Sequence, residues 1–336
     1  MEPGRTYNQV HQARKYTTGK RRLSIYVTWS YPAEANKDLT VLDNRFSTMT
    51  EVRRVGWPAF ESPDYASPLM FQQGIAGSLE LFFRAWLPFQ QIAGEATGHT
   101  LPVYQRVDHA GYKLPLDERV LADTDTLLVW GLDTLGTDQV PTDGEIEAVR
   151  DFLTREGTCL AIGPHHDVGA SENPKVQDTE YHHHGDALVP RRQRFGGYTR
   201  ALMKGLGIPV ENQYGLRPAM IKGTNEIAPL IRNADLDKRG LLKGVTTFTF
   251  HMHLPHYEVT ARDAKDVHVL ATQPIDLSRP HPFTEEGHRE FNSLIWLPPA
   301  GKRAGEVLVA DSTVFSTLFG GTESIARFWR NLATAK

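Results

Sequence analysis

The apolar run "TLLVWG" at 126–131, the polar stretch that follows it and "TCLAIG" at 158–163 constrain the fold most. Both runs have the length and branching of buried strands. Between them Thr142 stands three residues before Glu145, the spacing of a capping box. Ile146, Val149, Phe152 and Leu153 then fall on one helical stripe that stops at Gly157. Strand, helix and strand joined this closely predict a right-handed crossover between parallel neighbours.

The same alternation extends along the chain. "LSIYVTW" (23–29) reads as a first strand, and residues 30–73 follow as a long insertion without a period. Residues 78–98 predict a helix kinked or divided at Pro88, and 101–107 a strand. Residues 198–207 look helical, and 244–253, 267–272, 292–298 and 305–311 look like strands. Thr322 is expected to cap a closing helix over 322–335. The expectation is an α/β fold: a flavodoxin-like, open, mostly parallel sheet with helices on both faces and insertions at about 30–73 and 171–240. Residues 1–22 read as a loose arm and 23–336 as one enlarged domain.

Composition excludes several classes. Lys and Arg number 37 against 40 Asp and Glu, a net charge of −3, so no basic surface for nucleic acid is expected. The single cysteine, Cys159, leaves no disulfide framework and no cysteine zinc site, which fits a reducing cytoplasm. The first 22 residues are polar and basic rather than signal-like, and no run has the roughly 18 apolar residues of a membrane span. A small-molecule substrate is the expected partner, with self-association left open.

The second strand runs into "GPHHDVG" (163–169), and in open parallel sheets ligands sit beyond the carboxyl ends of the strands. The segment from Val129 to His166, "VWGLDTLGTDQVPTDGEIEAVRDFLTREGTCLAIGPHH", resembles the core of the class I glutamine amidotransferase-like superfamily, particularly its trehalose-utilisation-type (ThuA-like) branch. The amidotransferase elbow is similar to Gly-x-Cys and that of the ThuA-like branch to Gly-x-His; here it is Gly163-Pro164-His165. The closing "IWLPPAGKRAGEVLVADSTVFS" also resembles that branch's final strands. Cys159 lies inside the strand, four residues before the elbow glycine, and reads as a packed core residue, so no cysteine nucleophile is expected.

Histidine is the unusual component, at 14 residues. His165 and His166 sit at the elbow, His182, His183 and His184 in "EYHHHGD", and His251, His253 and His256 in "HMHLPHYE", with His268 nearby. A strand would place His251 and His253 on one face, a spacing that offers two imidazoles to one metal ion. His165, His166, His183, His251, His253 and His256 are therefore the candidate ligands for a divalent zinc or iron ion. Each group also reads as solvated loop or backbone-bonded histidine. Asp167 is a second ligand type, or the carboxylate that fixes a histidine tautomer.

With His165, Asp167 and Glu258 as catalytic residues, the expected activity is metal-dependent hydrolysis of an amide, ester or related bond. Trp29, Tyr181, Arg191 and Arg192, with Arg194 beside them, are the candidate substrate contacts. A helix start at the elbow would hold His165 neutral, and a crevice position would let the fold tolerate its loss. Two rival readings remain: a binding module for a sugar or other polar ligand, and a metal-free lyase or isomerase with His165 as general base.

Overall fold

The computed structural model describes residues 16–28, 84–106, 115–131, 139–169, 171–185, 194–248, 253–261, 265–317 and 320–335. The insertion at 30–73 and the candidate residues Trp29, Arg191, Arg192 and His251 lie outside these. One eight-stranded sheet organises the described residues. Its strands are β1 (Leu23–Val27), β2 (Val103–Gln105), β3 (Thr126–Gly131), β4 (Cys159–Pro164), β6 (Ile231–Arg232), β8 (His268–Pro274), β9 (Glu290–Leu297) and β10 (Glu306–Ala310). The order is β2-β1-β3-β4-β10-β9-β8-β6. Pairing is parallel from β2 to β10 and antiparallel from β10 to β6, so the sheet is mixed. A separate antiparallel ribbon joins β5 (Val210–Leu216) to β7 (Leu254–Val259).

The helices are α1 (residues 84–97), α2 (Glu118–Leu121), α3 (Asp143–Phe152), α4 (Pro174–His184), α5 (Gly197–Gly205), α6 (Pro282–Glu285) and α7 (Thr322–Thr334). Strand alternation divides the core in two. On one face Ile25, Leu128, Trp130, Ala161 and Leu308 meet Trp86 and Phe89 of α1 and Phe328 and Trp329 of α7. On the other, Tyr26, Val129, Ile162 and Val309 meet Val120 of α2, Val149 and Phe152 of α3 and Leu202 of α5. Each such side chain, fully buried, contributes roughly 1.5–3 kcal/mol.

The Thr142–Glu145 capping box is present, and Val149, Phe152 and Leu153 are buried as expected. Glu145 also accepts from the Tyr198 hydroxyl, the Leu116 N–H and the Arg106 guanidinium, which compensates its burial. Cys159 is the first residue of β4 and fully buried, and burial pushes its thiol up to about 11.

Several local expectations change. Helix α1 continues through Pro88 without a break. The cap of α7 is Gly321 in the left-handed region, not Thr322. Residues 244–248 are not a strand; the strand begins at Leu254. Residues 16–22, expected in a loose arm, are tied down: Tyr16 packs edge-on to His99 at 5.0 Å, and Arg22 pairs with Asp125 at 2.6 Å.

Candidate functional site

The site begins where β4 loses its neighbours. Beyond Pro164 the polar backbone is taken up by the β5–β7 ribbon. The Pro164 carbonyl accepts from the Tyr257 hydroxyl at 2.9 Å, and the His165 carbonyl from Asn212 Nδ2 at 2.5 Å. The Asp167 N–H donates to the Gln213 carbonyl at 3.2 Å, and the Asp167 carbonyl accepts from the Gly215 N–H at 2.9 Å. Gly163 is required here, since a Cβ would meet the Ala310 carbonyl oxygen at 2.1 Å. No helix starts at the elbow. The next in sequence, α4, begins at Pro174, so the helix start expected directly after the elbow is absent.

Four buried histidines converge on this elbow. One ring nitrogen each from His165, His166 and His253 lies within 4.8 Å of the others. The ring centroids of His165 and His166 are 4.0 Å apart and those of His166 and His253 are 4.4 Å apart. His184 joins from α4: its Nε2 is 2.8 Å from Nε2 of His166, and its ring stacks on His253 at 3.5 Å. Phe195 closes the side over His165 at 5.3 Å, edge to face. His165 is only 3% exposed, so its side chain is packed and does not project into an open crevice. Truncating it would leave a cavity, contrary to the expectation that the fold tolerates its loss.

His165 is oriented by a carboxylate that the sequence reading missed. Its Nδ1 lies 3.0 Å from Asp311, the residue after β10 and a strand-neighbour of the elbow. Asp311 caps the 3-10 turn Ser312–Phe315 and accepts from the Thr313 N–H and hydroxyl. Phe315 holds that turn in the core against Phe89 at 5.2 Å, and Trp329 Nε1 donates to the Val314 carbonyl at 2.7 Å. Ser312 ties the strand ends together, accepting from the Gly131 N–H and donating to the Gly163 carbonyl. The available signal was an aspartate at the carboxyl end of an apolar strand, followed by Ser-Thr.

Helix α4 carries its own sequence marks. Asn173 caps it, Pro174 is its first residue and Gly185, at φ 75°, ends it. Its last carbonyls are clamped by arginines: Arg217 donates to the His184 carbonyl at 3.1 Å and Arg279 to the His182 carbonyl at 3.0 Å. The "HHH" run is therefore the end of a helix rather than a polar loop, with His183 and His184 inside and His182 exposed beside Asp178.

The other expected residues have different work. His183 uses both nitrogens, with Nδ1 at 3.1 Å from the Arg279 carbonyl and Nε2 accepting from the Arg217 N–H at 3.0 Å. This arrangement leaves no lone pair for a metal, and burial holds its pKa below the ordinary imidazole value. His256 accepts the Asn292 N–H at Nδ1, which places its proton on Nε2; burial, with His288 nearby, lowers it to about 4. It packs instead with Phe283, and His281 packs between His183 and Tyr214. His281 caps α6, and burial lowers it to about 3. Asp167 stands outside the three-histidine group: Arg200 at 2.6 Å and Arg194 at 3.2 Å hold its carboxylate, whose pKa burial raises against both guanidinium groups. Glu258 is exposed on β7 and accepts from Gln213 Nε2 at 2.7 Å. Tyr181 is half-buried on α4 beside His182.

Fold and site together define an α/β protein with a buried imidazole cluster at the carboxyl edge of its sheet. No family model and no curated relative matches the chain. Among solved structures, it is similar to one from Bacteroides uniformis described as ThuA-like, at 10% identity and a TM-score of 0.38, covering 97% of each chain. It is also similar to the mmIFT52 N-terminal domain, at 10% identity and a TM-score of 0.38, covering 68% of this chain and 80% of that one.

Proposed function

We propose that the protein is a metal-dependent hydrolase of a small polar molecule, with His165, His166 and His253 holding one divalent zinc or iron ion. The observation that carries this reading is the convergence of three buried imidazole nitrogens within 4.8 Å, one of them backed by a carboxylate. Gathering neutral imidazoles in a buried space becomes favourable when a cation accepts their lone pairs. With Nδ1 of His165 on Asp311, Nε2 is the nitrogen turned to the ion, the usual carboxylate–histidine–metal order. A zinc or iron ion held there would lower the pKa of a water and polarise a carbonyl, the chemistry of amide or ester hydrolysis, in which the water oxygen would go to the acyl carbon and a proton to the departing amine or alcohol.

The architecture proposed alongside is flavodoxin-like, since the parallel strands run β2-β1-β3-β4-β10, the doubly wound 2-1-3-4-5 order. Membership of the ThuA-like branch is part of the same proposal and rests on the elbow Gly163-Pro164-His165 at the end of the central strand. A second reading is favoured by the Asp311–His165 pair: a metal-free lyase or isomerase with Nε2 of His165 as general base. Elemental analysis of tag-free protein, with turnover of ester and amide panels before and after chelation, separates the two. The metal reading expects about one equivalent per chain and a rate that chelation abolishes. A metal-free preparation with undiminished turnover overturns it.

A further inference from the structure

The two Nε2 atoms of His166 and His184 face each other at 2.8 Å, and with no cation between them such a contact holds together only through a single shared proton. If His184 supplied the proton, His166 would accept at Nε2 and carry its own proton on Nδ1, leaving no nitrogen for an ion. If His166 supplies it, the Nδ1 lone pair is available. Packing sets which edge of the ring is accessible. The Cδ2 edge of His166 is pressed on Gly215, where a Cβ would come within 2.5 Å, so the Nδ1 edge is turned away from the β5 backbone. His184 also stacks on His253, with ring centroids 3.5 Å apart and planes 23° apart. One residue on α4 therefore contacts two of the three convergent rings, and the Arg217 and Arg279 clamps on the last carbonyls of α4 fix its height.

We infer that His184 is a positioning residue: it accepts the Nε2 proton of His166, locks that imidazole in the tautomer whose Nδ1 faces the ion, and supports the His253 ring. The inference rests on the metal reading for its purpose, but its structural content, one tautomer of one histidine, can be read without any metal. In this arrangement the inward residue of "HHH" next to the site is a support for the ligands rather than a ligand. His184 offers the acceptor that a metal-bound histidine commonly finds in a carboxylate or carbonyl, as His165 finds Asp311.

The test has two readouts. Long-range 1H–15N NMR on metal-free protein labelled at histidine, with His166 assigned through His166→Gln, reports its tautomer directly. The Nε2–H form is expected, and the Nδ1–H form overturns the inference. Zinc affinity by chelator competition then compares His184→Gln, whose amide oxygen still accepts, with His184→Leu, which cannot. His184→Gln is expected to stay within a few-fold of wild type, and His184→Leu to lose about 10- to 100-fold. Equal losses in two folded variants overturn the positioning role. Absence of zinc binding in the wild type removes the metal reading alone, because the tautomer measurement still decides the hydrogen bond.

Discussion

Acidification from pH 8 to 5 should destabilise the fold through two histidines that the site does not use. His281 is fully buried and held at about 3, and His256 at about 4. An unfolded chain returns both to about 6.5. Because the folded values are depressed, each imidazole's contribution is fully present above pH 6.5 and is lost as pH falls toward the folded value. At pH 5 the unfolded histidine is almost fully charged while the folded one is neutral, a difference of about 1.5 log units, or about 2 kcal/mol for each residue. Two such residues remove about 4 kcal/mol from a stability that is typically 5–15 kcal/mol. The decisive variant is His281→Asn. Asparagine keeps the capping acceptor for the Phe283 N–H, now 3.1 Å from His281 Nδ1, and removes the titrating ring. Urea unfolding with chelator present, at pH 8 and pH 5, should show the pH-dependent loss shrink by about 2 kcal/mol in the variant. An identical loss in both proteins refutes the reasoning.

Gly215→Ala should impair metal binding without replacing a ligand, because its Cβ would meet the His166 side chain at 2.5, 2.8 and 3.1 Å and displace it. The overpacking should cost about 1–3 kcal/mol by thermal or urea melts, with zinc affinity falling about tenfold or more by chelator competition. Arg200→Met removes the 2.6 Å partner of buried Asp167 and leaves it with half-exposed Arg194. Urea melts at pH 7 should show a loss of about 3–5 kcal/mol, which shrinks at acidic pH as the carboxyl takes up a proton.

Legibility from sequence followed locality. The β3–α3–β4 unit was readable because its signals are local: two apolar runs, a capping box and a stripe ending near a glycine. The elbow was readable for the same reason, since Gly163-Pro164-His165 sits at the end of such a run. The partners of the elbow were not, because they arrive from far along the chain: Asp311 from 146 residues away and Asn212 from 47. The facing of the three histidines was not legible, because a run read as a loop gives none, whereas a helix ended by Gly185 turns His183 and His184 inward and leaves His182 outside. Asp167 and Glu258 were plausible by residue type, and nothing local to either announced Arg200 or Gln213 as its partner.

The most direct test of the metal assignment is a crystal of tag-free protein grown with zinc, measured on both sides of the zinc absorption edge. One anomalous peak is expected, bounded by Nε2 of His165, Nδ1 of His166 and a nitrogen of His253, at about 2.0–2.1 Å from each. A map with no peak there, or with its peak on His183 and His256 instead, contradicts it.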